Sequence, residues 1–256
     1  MSKIESSLKL IHPTDILFHE KHEGARLSST KQRILEDGFL RNPISVMELD
    51  EKKYLLLDGL HRVLTLKELG CNWIPAQIVS ESEISLQSWN HLLQKDEWLD
   101  QIKENSELIF TKNSKNKTIL GKINYPNNTN EEICIHESPG NDFKLISSWN
   151  DLVNAYNKDY NVKRIHNDQH ITPNHNEVFL QYPTVNMCLI KKVVLKGLTL
   201  PSGVTRFIIQ GRILNLKVPL TLLKSINYDH NKWFESINAW KDSLRHYKEE
   251  VYLVEH

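Results

Sequence analysis

The chain has 256 residues, and its 32 Lys and Arg residues balance 32 Asp and Glu residues, so the formal net charge is zero. A neutral chain lacks the net positive field that favours non-specific binding to DNA or to anionic membranes. Hydrophobic residues make up 39% and charged residues 25% of the chain, which is ordinary for a globular protein and excludes collagen, a coiled coil and gross disorder. At this length we expect one large or two small domains.

Cysteine usage and apolar runs predict the compartment. Cys71, Cys134 and Cys188 are widely spaced and form no C-x-x-C motif, which favours a reducing compartment over a disulfide framework. No apolar stretch approaches the roughly 18 residues that a membrane-spanning helix needs, and residues 1–15 lack the apolar core of a signal peptide. We therefore expect a cytoplasmic protein with no membrane partner.

The first part of the chain alternates short strand patterns with helical ones. In chain order the sequence predicts a strand at 16–18, a helix at 30–37, strands at 44–48 and 54–57, a helix from 60 to about 69, and a strand at 74–79. The helix at 30–37 is predicted to begin at Ser29, because Gln32 three residues later completes a capping box, and to end at Gly38.

The rest of the chain carries weaker patterns. Apolar residues at helical spacing predict one or two helices at 84–102. The remaining predictions are short strands and loops at 103–145, a helix at 148–156, a β-region at 203–218, a helix at 233–247 and a strand at 251–254. Together these elements predict an α+β (mixed α/β) fold. We divide it into a first domain at 1–84 and, at 85–256, a helical linker with a C-terminal α/β domain.

A glycine turn between a predicted strand and a predicted helix is the first candidate site. It consists of Asp58, Gly59, Leu60, His61 and Arg62. Backbone N–H groups and the helix dipole at a helix N-terminus attract anions, while an Arg side chain can bind phosphate oxygens through two hydrogen bonds. The alternative is a plain strand-to-helix turn with His61 and Arg62 exposed to solvent.

A polar loop after the first strand is the second candidate. Glu20 could accept a proton from a substrate hydroxyl, and Arg26 could hold an anion or orient that carboxylate. The alternative is a solvated polar loop, which is the more common fate of such residues.

A Pro/Gly turn at 201–203 that leads into alternating residues is the third candidate. Alternation places Arg206 on one face of a strand, and Thr205 and Phe207 on the other. Arg206 at the start of the strand could bind an anion, or it could pair with a surface acid.

Among six tryptophans, which usually pack in cores, Trp98 is our candidate for a pocket wall. His166, His170 and His175 match no metal-site spacing and are predicted to be solvated.

Residues 17–79 resemble the ParB/sulfiredoxin-like superfamily, whose nucleotide-phosphate turn is matched by 58–62. Leu60 stands where a sulfiredoxin has its reactive cysteine, so the resemblance excludes sulfinic acid repair. No helix-turn-helix pattern follows, which disfavours a DNA-partition protein. The chain is most similar to the branch that phosphorylates free L-serine. The further segments that carry this resemblance are 8–10, 19–27, 69–71, 203–207, 211–212, 214–216 and 251–255.

The resemblance implies a function and roles for several residues. Glu20 would be the catalytic base, Asp58 an essential acid, and His61 and Arg62 phosphate ligands, with Gly59 and Leu60 in the same turn. ATP would be the donor, with ADP as the alternative, and Mg²⁺ could be positioned by Asp58, directly or through water. The product, O-phospho-L-serine, would supply 2,3-diaminopropionate for a siderophore of the staphyloferrin B type.

We add substrate roles of our own to those that the resemblance implies. Thr205 and Arg206 would suit the serine carboxylate or the transferred phosphate, and Arg26 and Trp98 are further candidates. The first domain, 1–84, would then be a ParB/sulfiredoxin-like nucleotide-binding domain, and 85–256 would complete the substrate site.

The alternative function belongs to a different class. It is a ParB-like regulator that responds to a nucleotide or to haem, contacts DNA or a partner and has no turnover. Zero net charge makes DNA a poor partner, and the chain is compatible with a homodimer.

Overall fold

The computed structural model describes residues 3–21, 24–49, 52–136, 142–157 and 161–247. Its helices are α1 (Lys3–Ser7), α2 (Gly24–Asp37), α3 (Leu60–Glu68), α4 (Glu97–Glu104), α5 (Asp142–Asn157), α6 (Met187–Leu195), α7 (Leu220–Leu223) and α8 (His230–Ser243). Its strands are β1 (Leu8–Ile11), β2 (Ile16–Leu17), β3 (Phe39–Leu40), β4 (Ile44–Glu48), β5 (Tyr54–Asp58), β6 (Ile74–Ile78), β7 (Ile84–Gln94), β8 (Ile109–Thr111), β9 (Thr118–Asn124), β10 (Asn130–Ile135), β11 (Lys163–His166), β12 (Glu177–Gln181), β13 (Thr205–Ile209) and β14 (Val218–Pro219). The expected mixed α/β class is confirmed. None of the helices within the described ranges combines the length and the apolar character needed to cross a membrane.

The first sheet is mixed and has the strand order β1-β6-β4-β5-β2. The predicted pair at 44–48 and 54–57 is confirmed as an antiparallel neighbour pair, with Met47 opposite Leu55. Strand β6 lies parallel to β4, and β2 lies parallel to β5. Parallel neighbours need a crossover, and α3 supplies part of the connection from β5 to β6. The end of β5 therefore runs directly into the beginning of α3.

The second sheet is built around β7, which pairs with three other strands. Its first half pairs with β13, and its second half pairs with β11 and β12. From β12 the sheet continues through β9, β10 and β8, and every pair in it is antiparallel. The prediction of helices throughout 84–102 is therefore wrong for 84–94, and only α4 is helical. Three partner strands accept and donate hydrogen bonds along the backbone of β7. These hydrogen bonds favour the extended conformation more strongly than the helical spacing of the apolar residues favours a helix.

The first sheet is buried on both faces because a core lies on each side of it. By alternation, Leu55 and Leu57 of β5 point into the core of the second sheet, whereas Tyr54 and Leu56 point into the first core. The near-continuous apolar sequence of this strand is typical of burial on both faces. Asp58, at the end of this strand, consequently lies at the border between the two cores.

The C-terminal part of the described chain returns to the first core. Val218 of β14 pairs with Leu40 of β3, and Trp233 and Ile237 of α8 are buried in the first core. The division into 1–84 and 85–256 stays a prediction. The packing adds that residues 213–237 contribute to the core of the first sheet, because they cover apolar side chains that 1–84 alone would leave exposed.

Several predicted element ends differ from the structure. Helix α2 begins at Gly24, so Ser29 lies inside the helix and is not its N-cap, and the Gln32 amide donates to Glu36 Oε1 one turn later. The β-region at 203–218 contains β13 and β14 but is not one continuous strand, and the strand predicted at 251–254 lies outside the described residues. These ends depend on contacts between distant segments, which local capping signals do not report.

Candidate functional site

A pocket of about 290 Å³ opens where β5 meets α3. It brings together the loop after β2, the turn before α3, one residue of α2 and one residue of β11. The residues that line it are His19, Glu20, Lys21, Thr30, Leu56, Leu57, Asp58, Gly59, Leu60, His61, Arg62 and Arg164. Two motifs that lie about 40 residues apart in the sequence, the Glu20 loop and the glycine turn, therefore share one pocket.

Gly59 makes the tight turn that aims the N-terminus of α3 into this pocket. Its φ is 108° and its ψ is 26°, a backbone conformation that residues with a Cβ rarely adopt. The Gly59 carbonyl accepts the first intrahelical hydrogen bond, from the Val63 N–H at 3.0 Å. The N–H groups of the first helical turn have no partners within the helix, and such groups at a helix N-terminus attract anions.

We expect Gly59→Ala to lower the free energy of unfolding by about 2–4 kcal/mol. An added Cβ would lie 2.8 Å from Ile44 Cγ2 and 3.0 Å from Arg62 Nη2, in addition to the cost of the positive φ. Gly70→Ala is the matched control, because Gly70 has a φ of 70° with nothing within 4 Å, and we expect it to cost about 1 kcal/mol. Urea denaturation of the two variants checks this difference, and equal losses would contradict it.

Asp58 lies between two arginines. Arg62 Nη2 donates to Asp58 Oδ2 at 2.6 Å, and Arg212 donates to the same oxygen. Partial burial alone would raise the pKa of the Asp58 carboxyl, but the two guanidinium groups outweigh it and hold that pKa below its ordinary value. Asp58 is therefore a carboxylate at neutral pH.

Arg62 has a structural task besides the phosphate role that we predicted. Its Nη1 donates to the carbonyl oxygen of Asn42 at 3.1 Å and also to that of Pro43. These bonds tie the glycine turn to the segment that precedes β4. Arg212 was absent from our predicted site, although the 211–212 segment carried part of the resemblance, because its contact with Asp58 spans 154 residues.

The Glu20 loop is held by the 200–203 turn. Gly203 N–H donates to Glu20 Oε2 at 2.9 Å, Leu200 N–H donates to the His19 carbonyl at 2.7 Å, and the Ser202 hydroxyl donates to the Lys21 carbonyl at 2.9 Å. The loop around Glu20 is therefore anchored to a distant segment, although Lys21 within it is exposed. The second and third motifs of the sequence meet at this contact.

His19, beside Glu20, is a buried and neutral residue. Its Nδ1–H donates to the Leu56 carbonyl oxygen at 2.9 Å. Its ring packs edge to face against the Phe207 ring, with 4.9 Å between the two ring centroids. Burial lowers the pKa of the His19 imidazole, and Glu20 and the bond to Leu56 only partly oppose this shift. His19 therefore fixes the loop to β5 without adding charge to the pocket.

The substrate residues that we proposed take different positions. Thr205 is buried, and its hydroxyl makes no hydrogen bond within the described part of the chain. Trp98 is fully buried in the second core, donates to the Gln94 carbonyl and contacts Tyr156, so it is a core residue and not a pocket wall. Arg26 lies in the first turn of α2, and its side chain is outside the part that the structure describes.

Arg206 is not among the residues that line the pocket. As alternation predicted, it lies on the opposite face of β13 from Phe207, which contacts His19. Its guanidinium lies 4.5 Å from the centre of the Trp89 ring, donates to Gln87 Oε1 at 3.2 Å and contacts His166 Nδ1. These contacts hold the Arg206 guanidinium outside the residues that line the pocket, and its role as an anion ligand stays a prediction.

Arg164 is a pocket residue that our sequence reasoning missed. It lies in β11, and its guanidinium packs against the backbone of Gly203, where an added Cβ would lie 2.3 Å from Arg164 Nη2. The flanking residues 163–166 form no local motif. Only the pairing of Arg164 with His91 of β7 brings it to the site.

A second pocket of about 590 Å³ adjoins the first and shares Thr30, Asp58 and Arg62 with it. Its remaining lining residues are Arg33, Ile34, Asp37, Phe39, Leu40, Arg41, Asn42, Arg212 and Leu214. Its wall contains both apolar side chains and arginines. This combination suits a flat ring that carries anionic groups.

The sequence of the whole chain was compared with known protein families and with characterised proteins. No family model matches it. The chain is 32% identical over 262 aligned positions, covering 100% of both proteins, to the ATP-dependent L-serine kinase SbnI of Staphylococcus aureus. It is 34% identical over 83 residues, 31% of this chain and 33% of the relative, to the ATP-dependent L-serine kinase of Staphylothermus marinus.

Solved structures show the same likeness. SbnI with a C-terminal truncation, from Staphylococcus aureus, is similar with a TM-score of 0.80 and 31% identity, over 94% of this chain and 97% of that one. A free serine kinase in complex with AMP is similar with a TM-score of 0.62 at 15% identity, over 85% of this chain and 93% of that one. The second likeness shows the fold alone.

Proposed function

The chain belongs to the family of ATP-dependent L-serine kinases, and on that premise we propose that it transfers the γ-phosphoryl group of ATP to the hydroxyl oxygen of free L-serine. The products are ADP and O-phospho-L-serine. The observation that carries the proposal is the identity of 32% over the full length of SbnI. The site supports it, because Glu20, Asp58 and the N-terminus of α3 share one pocket.

We place the nucleotide phosphates at the N-terminus of α3. Gly59 and the first residues of α3 line the pocket, where helix N-terminal N–H groups attract anions, and His61 and Arg62 would add a hydrogen-bond donor and a positive charge. The second pocket, with Phe39, Leu40 and its arginines, would take the nucleoside. This arrangement supports a nucleotide that spans both pockets across Asp58 and Arg62, which the pockets share.

Mg²⁺ is the metal that a kinase of this family implies. Mg²⁺ prefers oxygen ligands, keeps several waters and is generally held by one or two carboxylates together with substrate phosphates. Asp58 and Glu20 supply carboxylates in the pocket, and the described residues contain no group of three or more His, Cys, Asp or Glu side chains arranged to hold a metal ion. The donor set fits an ion that arrives with the nucleotide, and Asp58 would hold it, directly or through water. When bound, the ion neutralises charge on the phosphate oxygens.

Glu20 is the residue that we assign as the base. Phosphoryl transfer passes through a loose transition state, so the protein contributes mainly positioning and charge stabilisation. Glu20 would orient the serine hydroxyl and accept its proton late in the transfer. Thr205 remains a candidate serine ligand, since its hydroxyl is buried without a hydrogen bond in the described part of the chain.

The product suggests a place for the reaction. O-phospho-L-serine carries a good leaving group on Cβ, which suits a later replacement by nitrogen to give 2,3-diaminopropionate. We propose that the protein makes O-phospho-L-serine as a precursor for a siderophore of the staphyloferrin B type. The reaction would take place in the cytoplasm, where ATP and free serine are present.

Product formation tests the proposed function. The purified protein is incubated with free L-serine, Mg²⁺ and either ATP or ADP, and O-phosphoserine is measured by mass spectrometry. We expect product that requires L-serine and a nucleotide and that is absent with O-methylserine, which has no hydroxyl to phosphorylate. No product with either donor, from a folded protein that still binds nucleotide, would overturn the kinase proposal and favour the regulator that binds a nucleotide or haem.

A further inference from the structure

A chain of buried hydrogen bonds leads from the second sheet to Glu20. The Tyr182 hydroxyl bonds the Tyr156 hydroxyl, which lies 2.7 Å from His91 Nδ1. His91 Nε2 lies 2.8 Å from the Gly203 carbonyl oxygen, and the Gly203 N–H donates to Glu20 Oε2 at 2.9 Å. His91 is 0% exposed, so bulk water does not compete for these bonds.

The directions of these bonds follow from the groups involved. A carbonyl oxygen only accepts, so His91 Nε2 carries the hydrogen and donates to Gly203. In a neutral imidazole the other nitrogen accepts, and the Tyr156 hydroxyl therefore donates to Nδ1. Burial raises the pKa of both Tyr156 and Tyr182, so both phenols keep their protons at neutral pH. Tyr182 then donates to Tyr156, and the ring of His91 is held in one tautomer and one orientation.

Gly203 is fixed from three directions. Its N–H contacts Glu20, its carbonyl contacts His91, and its Cα lies against the guanidinium of Arg164. Its φ of 73° is the left-handed conformation that glycine adopts readily. His91 in β7 and Arg164 in β11 are paired residues of the second sheet. The second sheet therefore sets where the Gly203 N–H is found.

We propose that His91 is a positioning residue for phosphoryl transfer, which acts through Gly203 to hold the carboxylate of Glu20 in its productive orientation. The inference rests on the proposed function, in which Glu20 is the base. With Oε2 engaged by the Gly203 N–H, the second carboxylate oxygen serves the serine hydroxyl. Displacement of a catalytic group by about 1 Å can reduce a rate about 10²-fold, so a secure anchor has a large effect.

Two substitutions at one position separate anchoring from simple packing. His91→Leu removes both ring nitrogens, and His91→Gln keeps an N–H donor near the place of Nε2. We expect His91→Leu to lower kcat about 10- to 100-fold with a KM for ATP within about twofold of wild type, because the α3 N-terminus that binds the phosphates is unchanged. His91→Gln should recover most of the lost kcat. His170→Leu, an exposed histidine in a loop, is the control and should behave as wild type.

A second readout does not depend on activity. The amide resonance of Gly203 in ¹⁵N-labelled protein reports its bond to Glu20. Glu20→Ala defines the position of that resonance without the carboxylate, and we expect His91→Leu to move it in the same direction and His91→Gln to leave it near wild type. If His91→Leu does not fold, Tyr156→Phe removes the donor to Nδ1 and should lower kcat about 3- to 10-fold in the same pattern.

Several outcomes would overturn the inference. They are an unchanged kcat in His91→Leu, equal losses in the leucine and glutamine variants, or a Gly203 resonance that does not move. Failure of the proposed function gives a different result, since the wild type would then make no phosphoserine while the Gly203 resonance still responds to His91.

Discussion

We expect Glu20→Gln to lower kcat for O-phosphoserine formation by about 10²- to 10⁴-fold, the range associated with loss of a general base. The glutamine amide oxygen can still accept the Gly203 N–H, so the loop and the fold should persist. The KM for ATP should change little, because Glu20 faces the serine in our assignment and the phosphates lie at the N-terminus of α3. Steady-state kinetics with ATP and serine varied separately measures both parameters.

A matched control is available on α8. Glu235 is exposed and lies outside the residues that line either pocket, so Glu235→Gln removes the same charge without touching the site. It should retain wild-type kinetics. A Glu20→Gln variant that keeps its kcat within a few fold of wild type would contradict the assignment of Glu20 as the base.

We expect Asp58→Asn to lower kcat at least about 10²-fold and to reduce the free energy of unfolding by about 1–2 kcal/mol. The amide leaves the Arg62 and Arg212 guanidinium groups without their shared carboxylate and removes the group that would hold Mg²⁺. The stability loss is moderate because the Asp58 side chain is 40% exposed and solvent screens the charges. Kinetics and urea denaturation measure the two effects.

The pH dependence of stability provides a further check on Asp58. Because the folded state lowers the pKa of Asp58, its contribution to stability is complete above the ordinary value of 3.8 and is lost as the pH falls through the lowered pKa. In the Asp58→Asn variant, the free energy of unfolding should therefore fall less as the pH is lowered than it does in the wild type. Asp15→Asn is the control, since Asp15 makes one surface ion pair with Lys53 at 3.1 Å, and it should cost about 0–1 kcal/mol. Equal effects of the two substitutions would count against a special role for Asp58.

Local signals predicted the strand, turn and helix that build the pocket at the end of β5. The apolar run before Asp58, the glycine at the turn and the helical spacing after it each act within a few residues. The same locality explains why alternation placed Arg206 and Phe207 on opposite faces correctly. It could not say which of these faces lies towards the pocket, because that depends on the neighbouring segment with His19.

The error at 84–94 has a related cause. The apolar residues of β7 have a spacing that fits a helix, and periodicity cannot separate a buried strand from a helix in such a segment. Pairing with three strands settles the conformation, and those strands begin about 70 to 120 residues later. The assignment of Trp98 to a pocket wall failed similarly, since a tryptophan in an amphipathic helix reveals nothing about what will cover it.

The identities of Glu20, Asp58 and Gly59 and their local conformations are written into short stretches of the chain, because helix starts, tight turns and strand alternation follow from interactions between near neighbours. Their assembly into a site is not. Gly203 reaches Glu20 across 183 residues, Arg212 reaches Asp58 across 154, and His91 reaches Gly203 across 112. These contacts form because an apolar core packs on each face of the sheet that contains β5, a collective result of packing that no local pattern contains.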